Sequence, residues 1–204
     1  MAKGNIKRIF SDDLITNNPV FAQVLGICST LAVTNVLKNT VVMSVGLIFV
    51  TSLSNLTISL MREYIPSRIR MMVETLIIAS YVIIVDIVLK AYLPDISRAL
   101  GPYVGLIITN CIIMGRAEAF ALSNPPWSSF LDGIASGFGY SYVLLVIAFF
   151  RELLGSGTIW GYRVMGEWWT NWSIMVMAPG AFFMLAIFIW IVKGIIARKE
   201  EKEK

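Results

Sequence analysis

Val104-Gly-Leu-Ile-Ile-Thr-Asn-Cys-Ile-Ile-Met-Gly-Arg-Ala-Glu-Ala-Phe120 decides how the chain is read: it is apolar enough for a membrane, yet too short and too polar to cross one. Thr109, Asn110 and Cys111 interrupt it, and Arg116 and Glu118 close it. Its apolar run from Tyr103 to Met114 is 12 residues (114 − 103 + 1). As a helix that run reaches about 18 Å, against a hydrocarbon core of roughly 30 Å. Its backbone must therefore be satisfied by protein rather than by lipid.

The rest of the chain sets this stretch in a membrane protein. Of 204 residues, 57% are hydrophobic and 15% charged, and the mean hydropathy is +0.74. One soluble domain of this size cannot hide so much apolar surface. The first 18 residues are polar and carry Lys3, Lys7, Arg8, Asp12 and Asp13 without a signal-peptide core, so the N-terminus is expected to be retained. The absence of histidine excludes imidazole acid/base catalysis, His-x-x-x-His metal sites and haem ligation through imidazole. Gly137-Phe-Gly139 and Gly155-Ser-Gly157 follow no strand and fail as nucleotide fingerprints.

Six apolar segments are expected. The first, Val20 to Val36, is short and interrupted by Gly26, Cys28, Ser29 and Thr30. The second, Val41 to Met61, is full-length, with Thr51, Ser52, Ser54, Asn55, Thr57 and Ser59 available for close helix packing. The third, Met71 to Ala91, holds Glu74 and Asp86, and Pro94 and Pro102 are expected to bracket a short connection after it. The stretch quoted above is the fourth. The fifth, Ile134 to Leu154, is preceded by Gly133, which with Gly137 and Ser141 forms a four-residue spacing of small residues. The sixth is Met177 to Ile196, before a charged tail. The segment Ser156 to Ser173, with Trp160, Trp168, Trp169 and Trp172, reads as an interfacial aromatic belt or a partner contact.

Lys and Arg are distributed unevenly. Twelve (Lys3, Lys7, Arg8, Arg62, Arg68, Arg70, Arg116, Lys193, Arg198, Lys199, Lys202, Lys204) fall on one face, and five (Lys38, Lys90, Arg98, Arg151, Arg163) on the other. The positive-inside rule then makes both termini cytoplasmic, and the net charge of +4 gives no reason to invoke nucleic acid.

The two halves correspond. Cys28 and Cys111 lie in short segments 83 residues apart (111 − 28), and Met61-Arg62-Glu63 matches Phe150-Arg151-Glu152 at a displacement of 89 (151 − 62). The six-residue difference fits a longer loop. Three spans per half put the second half in the opposite orientation. The expected fold is an all-α integral membrane protein, a single domain over 1–204, of six transmembrane helices forming two inverted three-helix repeats, about 19–93 and 102–197. The first helix of each repeat is short and discontinuous, and cytoplasmic tails cover 1–18 and 198–204. Paired broken helices point to a site at the midplane, so Cys28 and Cys111 are expected to approach one another. Two thiols admit several readings: small apolar packing residues, a disulfide, or half of a metal site whose remaining ligands come from elsewhere.

Gly105 to Phe120, Asn18-Pro19, Leu25-Gly-Ile-Cys28, Ala32-Val-Thr34 and Phe150-Arg-Glu-Leu-Leu-Gly-Ser-Gly157 together resemble the D-type membrane-subunit family of sodium-pumping NADH:quinone oxidoreductases. The related Rnf complexes, ferredoxin:NAD oxidoreductases, have a similar E-type membrane component. The resemblance covers nearly the whole chain. It implies a subunit of a bacterial inner-membrane complex, part of an enzyme but with no complete active site of its own. A paralogous E-type membrane partner from the same pump would lie in the opposite orientation and supply two further cysteines to one 2Fe–2S cluster, with Cys28 and Cys111 the iron ligands from this chain. Other subunits would carry flavins and the NADH and ubiquinone sites, with electrons relayed through the cluster as Na+ moves outward. Thr109 and Asn110 are candidates to hydrogen-bond the cluster sulfurs or the broken helix. Asp86 is a candidate on the sodium path, or a charge paired near its helix end. An Rnf-type subunit, a stand-alone inverted-repeat secondary transporter and a cofactor-free scaffold are the competing readings.

Overall fold

A computed structural model describes residues 25–66, 68–92, 94–160, 162–163 and 177–203. The chain order is α1 (Ile27–Val33), α2 (Leu37–Met61), α3 (Arg70–Tyr92), α4 (Pro94–Ile108), α5 (Cys111–Arg116), a π-turn (Ala117–Ala121) continuing α5, α6 (Pro126–Ser156), a two-residue antiparallel pair β1 (Thr158–Ile159) and β2 (Tyr162–Arg163), and α7 (Ala178–Glu203). Four stretches among the described residues are long and apolar enough to cross a membrane: Leu37–Met61, Arg70–Tyr92, Tyr103–Ala121 and Pro126–Ser156. The apolar part of α7, Pro179–Ile195, is shorter.

α2 and α6 form the centre. The small-residue spacing on α6 explains why. A Cβ on Gly133 would stand 2.8 Å from the Ser52 Cα, and one on Gly137 3.1 Å from the Ile48 Cα, so only glycine lets the two backbones approach this closely. Around this contact Leu47, Val50, Tyr140, Val143, Leu144 and Ile147 are buried together with Ile112 and Ile113 of α5. In α6 61% of the apolar window is buried within the chain, and in α3 only 17%. α3 turns the stripe Glu74, Ile78 and Val82 inward, one residue per turn, and exposes Met72, Leu76, Ile83 and Ile87.

Four expectations need correction. The stretch expected to be too short and too polar to cross a membrane continues through its π-turn, so that Tyr103–Ala121 is 19 residues long and apolar enough to cross one, although broken at Thr109 and Asn110. The connection expected between Pro94 and Pro102 is helical: α4 starts at Pro94, a favoured first position, and runs through Pro102, which costs one backbone hydrogen bond. α6 starts at Pro126 rather than near Ile134, which brings Asp132 inside it. The longer loop of the second half is mostly helix. Ten residues of α5 and its π-turn follow Cys111, against five of α1 after Cys28, and the turns that follow hold four residues (122–125) and three (34–36). Five of the six extra residues are thus helical. The polar N-terminal tail, residues 20–24 of the first apolar segment, and Trp168, Trp169 and Trp172 lie outside the described residues.

Candidate functional site

Both cysteines sit at the starts of short helices that follow breaks. Cys28 is the second residue of α1, and Cys111 the first of α5. Both are free thiols and both are exposed, which sets the disulfide reading aside.

The two breaks are made differently. Gly26 begins α1 in the left-handed region, φ 82°, where glycine is favoured. Its carbonyl points back into the turn and accepts from the Thr30 N–H at 3.2 Å and the Thr30 hydroxyl at 2.9 Å. α5 begins on a side-chain cap: Asn110, extended at φ −69° and ψ 118°, accepts the Ile112 N–H on its Oδ1 at 3.0 Å.

A hydrogen-bonded joint ties these starts together. Asn110 Nδ2 donates to Ser29 Oγ at 3.1 Å. Ser29 Oγ hydrogen-bonds the Tyr140 hydroxyl, and that hydroxyl donates to the Gly26 carbonyl at 2.9 Å. Ser29, Asn110 and Tyr140 are all buried. The side chains next to the two cysteines are therefore in direct contact, while the thiols themselves face outward. Asn110 belongs to the joint, whereas Thr109 is exposed at the break.

The far ends of the two short helices are held crosswise. Arg151 at the end of α6 donates to Thr34 Oγ1 at 2.5 Å and to the Leu31 carbonyl at 3.3 Å, closing α1. Glu152 accepts the first N–H of α2, from Leu37, at 2.5 Å. At the end of α2, Ser59 and Arg62 donate to the Asn124 carbonyl, at 2.7 and 3.2 Å, closing the turn after α5. These charges hold helix ends, and Arg151 and Glu152 do so buried within the protein.

Arg116 forms a two-pronged ion pair with Asp132, whose side chain is fully buried. Sequence alone leaves Asp132 out because it places the start of that span too late. Arg70 of α3 reaches Glu118 of the π-turn at 2.8 Å. Asp86 pairs with Lys90 one turn on at 2.6 Å and takes no part in the joint. Glu74 is 1% exposed, and its Oε1 has no hydrogen-bond partner among the described residues. Among the described residues, no three His, Cys, Asp or Glu side chains gather into a metal-binding group. On its own the described part of the chain offers a pair of thiols and no further ligand beside them.

The sequence is similar to known proteins. A family model described as "Rnf-Nqr subunit, membrane protein" matches residues 6–189. The D-type subunit of the Na+-translocating NADH-quinone reductase of Psychromonas ingrahamii is 50% identical over 199 residues, covering 95% of both chains. The corresponding protein of Photobacterium profundum is 49% identical over 204 residues, covering 97% of both. The chain belongs to the Rnf-Nqr family of membrane-protein subunits, alongside these D-type relatives.

Proposed function

We propose that this chain is a membrane subunit of a Na+-translocating NADH:quinone reductase and that, with a paralogous partner, it holds an intramembrane 2Fe–2S cluster through Cys28 and Cys111. The observation that carries the reading is the Asn110–Ser29 hydrogen bond, which places the two cysteine-bearing helix starts side by side with both thiols exposed. Two free, exposed thiols whose neighbouring side chains are hydrogen-bonded fit half of a four-thiolate donor set, and a facing chain must complete it. Such a cluster, when bound, takes up and releases single electrons. The chain's own contribution is to present two thiolates from hydrogen-bonded helix starts, with the polar joint behind them buried.

The crosswise latches support an inverted repeat. Arg151 and Arg62 are related by the displacement of 89, as are the first residues of α6 and α2 (126 − 37). Gly137 and Ile48, which touch where α2 and α6 pack together, differ by the same 89 (137 − 48). A contact between residues that a twofold operation would exchange belongs on the axis. The Lys and Arg asymmetry supports cytoplasmic termini in a bacterial inner membrane. An Rnf-type subunit is the second reading, supported by a family description that spans both complexes.

Cys28→Ser and Cys111→Ser, each made in the complete complex, are expected to remove the iron and acid-labile sulfide of the shared site and to abolish quinone reduction. Full iron content in both variants would falsify the site. For the ion path, Asp86→Asn and Glu74→Gln are compared by the sodium dependence of quinone reduction. A changed half-saturating Na+ concentration in Asp86→Asn alone supports Asp86, and an unchanged one removes it.

A further inference from the structure

We propose that Tyr140 is a positioning residue for the two thiolates: through Ser29 and the Gly26 carbonyl, its hydroxyl fixes where the Cys28 helix start lies relative to the Cys111 helix start. The inference rests on the reading of Cys28 and Cys111 as a shared donor pair, and adds to it the device that sets their separation.

Tyr140 lies in the middle of α6, on neither short helix, and is completely buried. Its ring is wedged against the α1 start: a Cβ on Gly26 would stand 2.8 Å from Tyr140 Cε2 and 2.7 Å from Ile112 Cδ1 of α5. The phenol, the left-handed glycine and the first turn of α5 thus share one close-packed point. One assignment of the protons satisfies the whole hydrogen-bonded chain. The Asn110 amide has N–H groups to give and donates to Ser29 Oγ at 3.1 Å. Ser29 has one proton, and its partners are the Tyr140 oxygen and, at 3.2 Å, the Gly26 carbonyl. Tyr140 donates its own proton to that carbonyl at 2.9 Å. With Ser29 donating to Tyr140, each hydroxyl donates once and accepts at least once, and the chain Asn110, Ser29, Tyr140, Gly26 runs without a conflict.

Asn110 precedes Cys111, Ser29 follows Cys28, and Gly26 stands two residues before it. Residues flanking both thiolates are therefore linked, directly or through Ser29, to one phenol on a third helix. To the direct Asn110–Ser29 bond between the two starts, Tyr140 adds a second hold on the α1 start through the Gly26 carbonyl.

The test uses the purified complex and Tyr140→Phe, which removes one oxygen and keeps the ring. After chelation of iron, cross-linking between Cys28 and Cys111 by a short bifunctional thiol reagent is expected to change in rate by about fivefold, the population shift that one lost buried hydrogen bond produces. In the iron-loaded complex the electron-paramagnetic-resonance line shape of the reduced cluster is expected to broaden. Ser29→Ala is expected to have the same effects, and the double variant to be no worse than either single one, because both act through one chain. Should Tyr140→Phe fail to assemble, Ser29→Ala carries the test alone. Unchanged cross-linking and line shape in the assembled variants, with iron still lost in Cys28→Ser, overturns the positioning role and leaves the ligand assignment standing. Iron retained in Cys28→Ser overturns the ligand assignment instead.

Discussion

The two short helices that carry the cysteines follow one plan and are built from different chemistry. α1 starts on a left-handed glycine and takes its hydrogen bonds from side chains of its own first turn and from Tyr140. α5 starts on an asparagine cap and is lengthened by a π-turn. At their far ends, α1 is closed by a buried arginine bonding both a side chain and a carbonyl, and α5 by a half-buried arginine and a serine sharing one carbonyl. The difference teaches that the matched feature is the position of the helix start, not the residue that makes it. The asparagine cap satisfies an orphan N–H at the start of α5 and the buried arginine an orphan carbonyl at the end of α1, whereas the left-handed glycine turns the chain into α1 without a side-chain cap.

The comparison breaks first at its glycines. Gly26→Ala forces a Cβ into the left-handed region and to within 2.7 Å of Ile112 and 2.8 Å of Tyr140. The cost is at least about 3 kcal/mol. Gly115→Ala, in the helix of the other half, brings a Cβ only to 3.2 Å from the mobile tip of Leu25. There the gain in helix propensity offsets the contact, and the net change is within about 1 kcal/mol of zero. Thermal denaturation of the two purified variant complexes reads this directly. Equal midpoints would show that the α1 start does not depend on its conformation.

The two latches come next. Arg151→Ala removes a buried guanidinium and its bonds to Leu31 and Thr34 at the end of α1, which is expected to cost about 3 kcal/mol. Arg62→Ala removes one bond to the Asn124 carbonyl, which Ser59 still serves, and is expected to cost about 1 kcal/mol. Limited proteolysis of membrane vesicles gives the ranking. Faster cleavage of Arg62→Ala than of Arg151→Ala would reverse the assignment of the tighter latch.

Much of this is legible in the sequence, for identifiable reasons. Thr109, Asn110 and Cys111 stand out because polar residues interrupt an apolar run, and the break falls at Thr109 and Asn110. Gly133 and Gly137 stand out by spacing, and they do admit α2. Tyr140 does not stand out: it is one aromatic residue in an apolar helix, and its partners Ser29 and Gly26 lie more than a hundred residues away in the chain. Asp132 is hidden by the late start assigned to its span, since Ser128, Ser129 and Asp132 read as a loop until Pro126 is recognised as a helix-starting residue. The π-turn has no signal, because an insertion that widens one turn leaves the apolar pattern on either side intact.

The smallest effect sharpens the comparison most. Glu152 and Glu63 are related by the displacement of 89 (152 − 63), and so are the helix starts they would face, Leu37 and Pro126. Glu152 accepts the Leu37 N–H and lends negative charge to the start of α2. Pro126 has no N–H to give, and Glu63 is exposed. The proline starts its helix without needing an acceptor, so the second half dispenses with the carboxylate that the first half requires. Glu152→Gln keeps an acceptor oxygen but removes the charge, and is expected to cost about 1 kcal/mol, whereas Glu63→Gln is expected to be neutral to within about 0.5 kcal/mol. Hydrogen exchange at the first turn of α2 reads the difference, since only the Glu152 variant should accelerate it. Protection that falls equally in both variants would mean that the two carboxylates still act alike, and that proline at Pro126 has not replaced one of them.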